Sequence, residues 1–239
     1  MTTLLLHLAG PLQSWGVKSR FAVRGTELAP TKSGIIGLLA AALGRRRTDP
    51  LEDLLRLRFG VRIDQPGRVI RDFHTAHDRK GQAMPISDRY YLSDAVFLAG
   101  IEGDAELLHG LDEAVRNPRF PLYLGRRSCP PSRPISLGPK DGDLHTVLTA
   151  EQWRASEWFM KAKKSIVAEI LLDKAAVSEE GSVGDVRTTR DVPLSFDPEQ
   201  RNYGFREVKR LTVLLGAKDA DPHDPMAVVE EANDVPLQG

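Results

Sequence analysis

Apolar residues come in two periods along the chain. Leu4 to Ala9 form a nearly continuous apolar run, which predicts a strand buried on both faces, and the run stops at Gly10-Pro11. A helix is predicted over "PTKSGIIGLLAAALGRRR", where Pro30 with Thr31 or Ser33 gives the start signal and Gly44 the stop. "RFGVRIDQPG" alternates Phe59, Val61 and Ile63 with Arg58, Gly60 and Arg62, a half-buried strand closed by Pro66-Gly67. The next stretch, "VIRDFHTAHDRKGQAMPISDRYY", is polar and basic with little periodicity, and predicts a long excursion or hairpin arm. Strand character returns at "LSDAVFLAGIEG". "DAELLHGLDEAVRNP" spaces Leu107, Leu111 and Val115 four apart, an amphipathic helix ending before Pro118. "RFPLYLGRRSCPPSRPISLG" reads as a short strand running into a Gly-Arg-Arg and proline-rich loop.

The order β-α-β, excursion, β-α-β is the split βαβ arrangement of ferredoxin-like (RRM-like) α+β folds, an antiparallel sheet with two helices on one face. Beyond residue 145 the pattern weakens. "KSIVAEILLD", "GDVRTTRDVPLSF" and "REVKRLTVLL" are expected strands, the second carrying Arg187 and Arg190. From Ala217 onward Asp, Pro and Glu dominate, and this acidic tail is expected to be disordered. The expected organisation is a body over 1–140 with its arm at 68–91, a smaller β-rich extension over 141–215, and the tail over 216–239.

The totals narrow the class. The chain has 239 residues, 41% of them apolar and 28% charged, enough to bury the core of an ordinary globular protein. Its longest apolar stretch, Ile35 to Leu43, is too short to span a bilayer. Met1-Thr2-Thr3 has no basic region of the signal-peptide kind, and Cys129, the single cysteine, leaves no internal disulfide. A soluble cytoplasmic protein with no membrane partner is expected. The formal net charge of zero hides a sorting of charge along the chain. Lys18 to Arg47 holds seven Lys or Arg against Glu27, Arg119 to Lys140 holds five and no acid, and Leu211 to Gly239 holds six acids against Lys218. A single charge run is ordinarily a solvated face, but two cation-rich stretches anchored by Gly and Pro point to a polyanion.

Several motifs carry chemistry, each with a plainer alternative. In "APTKSGIIGLL" the first helical turn, with Lys32, Ser33 and Gly34, has the features of a phosphate site; equally, it is a capped helix whose Gly34 and Gly37 allow close packing. The Walker spacing is absent. In "YLGRRSCPPSRP", Arg126 and Arg127 offer two forked donors suited to phosphate, against a solvated loop, and Cys129 reads as a packing residue. His74 and His77 have zinc-like spacing, but nothing completes a four-ligand set, so no metal is expected. Tyr90 and Tyr91 follow Arg89, and strand alternation sends one tyrosine inward and leaves the other free to stack on a base. "EQWRASEWFMKAKKS" sets Trp153 and Trp158 among lysines, by default an amphipathic helix on the body.

Taken in order, "LAGPLQSWG", "PTKSGIIGLLAAALG", "RDFHT", "RYYLSDAVF", "NPRFPLYLGRRSCPPSRP" and "TTRDVP" resemble the CasD subunits of type I-E CRISPR surveillance complexes, known as Cascade. The resemblance spans Leu4 to Val208 and is poorest over Asp141 to Val186 and in the tail. It implies a RAMP-type protein: a ferredoxin-like body with a β-hairpin thumb, here the excursion, between its second and third strands. It implies partners too, namely the 5′ handle of the CRISPR RNA, the backbone subunits and large subunit of Cascade, and target DNA through the assembled complex. No cofactor is implied. Carried onto this chain, the residues expected to contact RNA are Gln13, Trp15, Lys18, Arg20, Arg24, Lys32, Ser33, Gly34, Arg71, His74, Tyr90, Arg126, Arg127, Ser128 and Arg190. On this reading Gly10-Pro11 turns the chain so that Gln13, Ser14 and Trp15 stand at the rim of an RNA-binding face.

Three functions of different class follow. The favoured one is a non-catalytic subunit that caps the backbone and holds the RNA. The second is a metal-independent endoribonuclease that cuts CRISPR repeat RNA with His74 or His77, as relatives of other CRISPR types do. The third, taken without the resemblance, is a nucleotide-binding protein built on the helix start at Thr31–Gly37.

Overall fold

The run at Leu4 to Ala9 becomes the strand next to one edge of a seven-stranded sheet that organises the chain. A computed structural model describes residues 1–16, 19–20, 23–177 and 185–216, for residues 19 and 20 the backbone alone. The acidic tail lies outside the described residues, and so does Lys18. The first elements are β1 (Thr2–Ala9), β2 (Leu12–Gln13), β3 (Ser19–Arg20), β4 (Val23–Arg24), α1 (Lys32–Ala42) and α2 (Glu52–Leu55). There follow β5 (Arg58–Gln65), β6 (Arg68–His74), β7 (Ser87–Ser93), β8 (Val96–Gly103), α3 (Ala105–Arg116) and β9 (Ser136–Asp141). Last come α4 (Leu144–Ala150), α5 (Glu157–Lys163), β10 (Ile166–Asp173), β11 (Asp185–Ser195) and β12 (Asn202–Leu215). No described helix is long and apolar enough to cross a membrane.

The sheet runs β11-β12-β10-β5-β8-β1-β9, and all its neighbours are antiparallel. Within it, β9-β1-β8-β5 is the ferredoxin-like order, and β10, β12 and β11 continue the sheet beyond β5. Strand β1 is buried on both faces, as its lack of alternation predicts: Leu4, Leu6 and Leu8 pack with α1 and α3, and Leu5 packs with α4 on the other side. The α1 boundaries follow the caps. The Thr31 hydroxyl accepts the Gly34 N–H at 3.1 Å. Gly44, at φ 79°, closes the helix in the left-handed region while Arg45 N–H reaches back to the Ala40 carbonyl at 2.8 Å. In α3 the Asp104 carboxylate caps Leu107, and the buried stripe runs through Leu108, Leu111 and Val115, so Leu108 takes the place expected of Leu107.

Two expectations are corrected. Arg119 to Leu124 is not the fourth strand. Its Arg119 and Phe120 N–H groups instead satisfy the Ala42 and Ala41 carbonyls at the end of α1, at 3.0 and 3.2 Å. The fourth strand is β9, which the sequence disguises with Gly138 and Pro139; a proline is tolerated there because β9 is an edge strand. Strand β5 is not half-buried, because α4 covers its second face. Arg62 is 0% exposed, and its five N–H donors are all used, on Asp64 and on the carbonyls of Leu148, Glu151 and Gln152.

The excursion is a hairpin arm. β6 pairs with β7 from Arg68↔Ser93 to His74↔Ser87, and its side chains are exposed almost throughout. β7 also pairs with β2 and β4 in a small second sheet, which ties the base of the arm to the segment after β1.

Candidate nucleic-acid interface

The turn after β1 does not present its polar and aromatic residues to solvent. Gln13 is 0% exposed; its amide donates to the Leu8 and Ala95 carbonyls at 3.0 and 2.8 Å and accepts the Trp15 indole N–H at 3.0 Å. Trp15 is buried against α1, where a Cβ added at Gly34 would lie 2.7 Å from the indole Cε3. The rim reading of Gln13, Ser14 and Trp15 is therefore corrected. The aromatic ring anchors this segment to the helix, and Gly34 is small for packing. Ser14 continues the stitching, its hydroxyl donating to the Tyr90 carbonyl at 3.2 Å.

The helix start is likewise occupied. Asp191, in the "TTRDVP" stretch, accepts the Lys32 N–H at 2.8 Å, and the Lys32 ammonium pairs with Asp173 at 2.9 Å. Arg206 then binds Asp191 through Nε and Nη2, at 2.6 and 2.9 Å, and Asp173 through Nη1 at 2.6 Å. Burial opposes the Arg206 charge, but the Asp191 and Asp173 carboxylates outweigh it and hold the guanidinium above its ordinary value. Protein carboxylates thus take the place a phosphate would fill at the N-terminus of α1, and Lys32 is corrected from an RNA contact to a buried ion-pair member. The same finding removes the basis of the nucleotide-binding reading. The Ser33 hydroxyl is 3.2 Å from that of Thr31 and is buried.

In the Gly-Arg-Arg loop the two arginines part ways. Arg126 donates to the Tyr90, Arg24 and Gly25 carbonyls at 3.1, 2.7 and 3.1 Å and lies 4.9 Å from the centre of the Tyr91 ring. A guanidinium so engaged clamps the arm, the β4 segment and the loop together, so its expected role as a free phosphate fork is corrected. Arg127 and Ser128 are exposed; Arg127 has no acceptor among the described residues, and Ser128 reaches the Tyr91 hydroxyl at 3.3 Å. Gly125, at φ 95°, permits the turn, for a Cβ there would overlap the Ser14 carbonyl. Tyr91 is buried and Tyr90 half-exposed, as strand alternation predicts. Cys129 is fully buried, and burial pushes its thiol up, in keeping with a packing residue.

The remaining expected contacts are dispersed. Arg71 and His74 lie on the arm, paired with Asp88 at 3.1 Å and Asp72 at 3.2 Å. Arg24 is exposed in β4, and Arg20 pairs through its backbone in β3. Arg190, on β11, donates to the Tyr203 carbonyl at 3.0 Å and covers the Phe205 ring.

What the fold does assemble is a cleft of about 440 Å³ on the α1 side of the sheet, floored by Trp15, Ser33 and Gly34. Its lining carries Arg45, Arg46, Arg47, Arg126 and Arg201 with the aromatics Tyr123, Phe196 and Tyr203, and among the described residues no Asp or Glu. Arg45 is held by Asp53, whose hydrogen bond raises the guanidinium and lowers the carboxylate from their ordinary values. Arg46, Arg47 and Arg201 are exposed, and among the described residues their side chains have no acceptor. A larger hollow of about 620 Å³ surrounds Lys32, Arg58 and Lys174, but each of these faces a carboxylate: Asp173, Glu102 and Glu207. Three exposed arginines set beside aromatic rings, more than size, distinguish the smaller cleft. The arginine run at 45–47 and Tyr123 belong to stretches the charge count singles out, whereas Arg201 and Tyr203 carry no local signal.

Residues 3–209 match the model of the CRISPR-associated Cas5 proteins. The chain belongs to the Cas5 family. It is 36% identical over 156 residues to the Cascade subunit CasD of Escherichia coli K12, covering 56% of this chain and 70% of that one. Among solved structures, a Cas protein superposes with a TM-score of 0.65 at 39% identity, over 88% of this chain and 94% of the other. A chain of a CRISPR RNA-guided surveillance complex gives 0.72 at 29% identity, over 96% and 98%.

Against this Cas5 frame the described histidines lie far apart in chemical setting. His74 and His77 are on the projecting arm, His109 is exposed on α3, and none lines the arginine cleft. His7 faces the opposite side of the sheet, with Nε2 3.3 Å from the Arg154 carbonyl, and burial lowers its pKa from 6.5. Its neutral form is the folded one, so the unfolded chain takes the proton first as pH falls. Stability from this group is full above about pH 6.5 and drains away below it towards the lower folded value. His7→Gln, which keeps a donor, should flatten the fall in denaturant midpoint between pH 7 and about pH 5; an unchanged slope would show that other groups set it.

Proposed function

We infer that this Cas5-family chain is the RNA-holding subunit of a CRISPR RNA-guided surveillance complex of the Cascade kind, acting in the cytoplasm. It caps a backbone of related subunits and fixes the 5′ handle of the CRISPR RNA. The acid-free cleft between α1, residues 121–126 and residues 196–203 carries this reading. Arg46, Arg47 and Arg201 supply phosphate contacts that set the position of the strand, and Tyr123 and Tyr203 supply faces on which splayed bases stack. Arg127 extends the cationic surface, and Arg126 holds the walls in register. The target sequence itself is read by base pairing to the guide, so the subunit needs a rigid grip on the RNA more than a base code. The chain acts without catalysis, for acid–base cleavage needs groups converging on one phosphodiester, and no described histidine, aspartate or glutamate lines the cleft.

The arm is the second contact. It projects large apolar residues, Val69, Phe73, Met84 and Ile86 each more than half exposed, which a neighbouring subunit would cover. Replacing residues 75–86 by a short Gly-Ser turn leaves the β6–β7 pairing intact. The free chain should then unfold within about 0.5 kcal/mol of the parent while assembly with the backbone subunits and RNA fails. Normal assembly of this variant would overturn the reading, and so would a collapse of the free chain.

A further inference from the structure

The face of the sheet opposite α1 carries a second cationic and aromatic surface, which holding the RNA handle does not use. Helix α5 has no fully buried side chain, and Trp158 on it is 61% exposed. The indole is nonetheless fixed: Phe159 meets it edge-on at 5.6 Å and meets Trp153 at 6.0 Å, and Trp153 Nε1 donates to the Asp64 carbonyl at 2.8 Å. One side of Trp158 is therefore anchored to the sheet through two rings, and the rest is open.

Trp158 stands at the lip of a hollow of about 260 Å³ that reaches His7, Arg133 and Arg154 beside the base of the arm. Arg133 is exposed, and its guanidinium has no acceptor among the described residues. Lys161, one turn along α5 from Trp158, and then Lys163 and Lys164, add three exposed cations. The acids nearby are fewer: Glu151 is taken by Arg154 at 2.5 Å, Glu157 lies 4.0 Å from Lys161, and Asp94 is on the far wall. Arg154 and Arg133 add to burial in disfavouring the proton on His7, against the Arg154 carbonyl and Asp64, which favour it.

We propose that this surface binds single-stranded nucleic acid, with one base stacked on Trp158 and the flanking phosphates towards Arg133 and Lys161. A rigid aromatic face set among cations fits a base between two phosphates. Protein-interface cores, by contrast, are depleted in the lysines that surround this indole. An indole face offers no hydrogen bonds to base edges or to the 2′-hydroxyl, so binding should be tolerant of sequence and indifferent to ribose or deoxyribose.

Tryptophan fluorescence of the full chain, titrated with oligo-dT and oligo-rU, tests it. Trp15 is 1% exposed and Trp153 is half-buried, so stacking should quench Trp158 selectively. Both oligonucleotides should quench. Trp158→Ala should abolish the quench and weaken binding by at least about fivefold, and Trp158→Phe should restore most of the affinity. Arg46→Ala with Arg47→Ala, on the other face, should leave the quench in place. Absence of quenching in the parent chain, or affinity unchanged in Trp158→Ala, would overturn the proposal. Trp158→Ala binding oligonucleotides normally while losing assembly with other subunits would also overturn it, and would mark a protein contact instead.

Discussion

Replacing Asp191 with alanine is expected to cost about 3–5 kcal/mol of stability, as removal of one member of a buried ion-pair network does. Asp191 is 1% exposed and serves two partners at once, the first N–H of α1 and the guanidinium of Arg206. Its loss strands Arg206, whose side chain is 11% exposed and would keep only Asp173, already shared with Lys32 and the Phe59 N–H. The helix start would lose a carboxylate at its positive end as well. In a chain of this size the loss corresponds to a melting temperature lower by roughly 6–20 °C. Asp191→Asn, which keeps an acceptor and gives up the charge, should fall between. A drop of less than about 1 kcal/mol for Asp191→Ala would mean that solvent reaches the network and that the N-terminus of α1 is open after all.

That network shows where the sequence stops being legible. β1, α1 and α3 could be read because their signals are local: an unbroken apolar run, a Thr cap with a closing glycine, and a stripe of four-residue spacing. Lys32 was misleading because its neutralising carboxylates arrive from 141 and 159 residues away. Gln13 and Trp15 look like a presented polar–aromatic pair until Leu8, Ala95 and Gly34 are brought against them. Arg62 alternates like a solvent-facing residue, and only α4, a seven-residue helix in the least patterned part of the chain, turns it inward. β9 hides behind Gly138 and Pro139. The cleft itself was half visible. The arginine run at 45–47 lies in a cation-rich stretch, but Arg201 and Tyr203 reach it only because β11 and β12, both expected as strands, pair with each other, a pairing that no local pattern foretells.

The second large effect concerns that cleft. Arg46→Ala, Arg47→Ala and Arg201→Ala combined should weaken binding of 5′-handle RNA by roughly 10- to 100-fold, taking about 0.5–1 kcal/mol for each screened contact. All three side chains are exposed and without partners among the described residues, so the melting temperature should barely move. Arg126→Ala should behave differently. It removes bonds to three carbonyls and the contact with Tyr91, so it should lower stability and affinity together.

The salt dependence of handle binding tests the central claim most directly, because it counts phosphate contacts rather than total affinity. For a single strand each contact contributes about −0.7 to the slope of log K against log salt. The parent chain should bind with a steep negative slope, the triple arginine variant with a slope shallower by about 2, and Arg126→Ala with the parent slope. A triple variant whose slope matches the parent would contradict the account, since the RNA phosphates would then lie elsewhere on the chain.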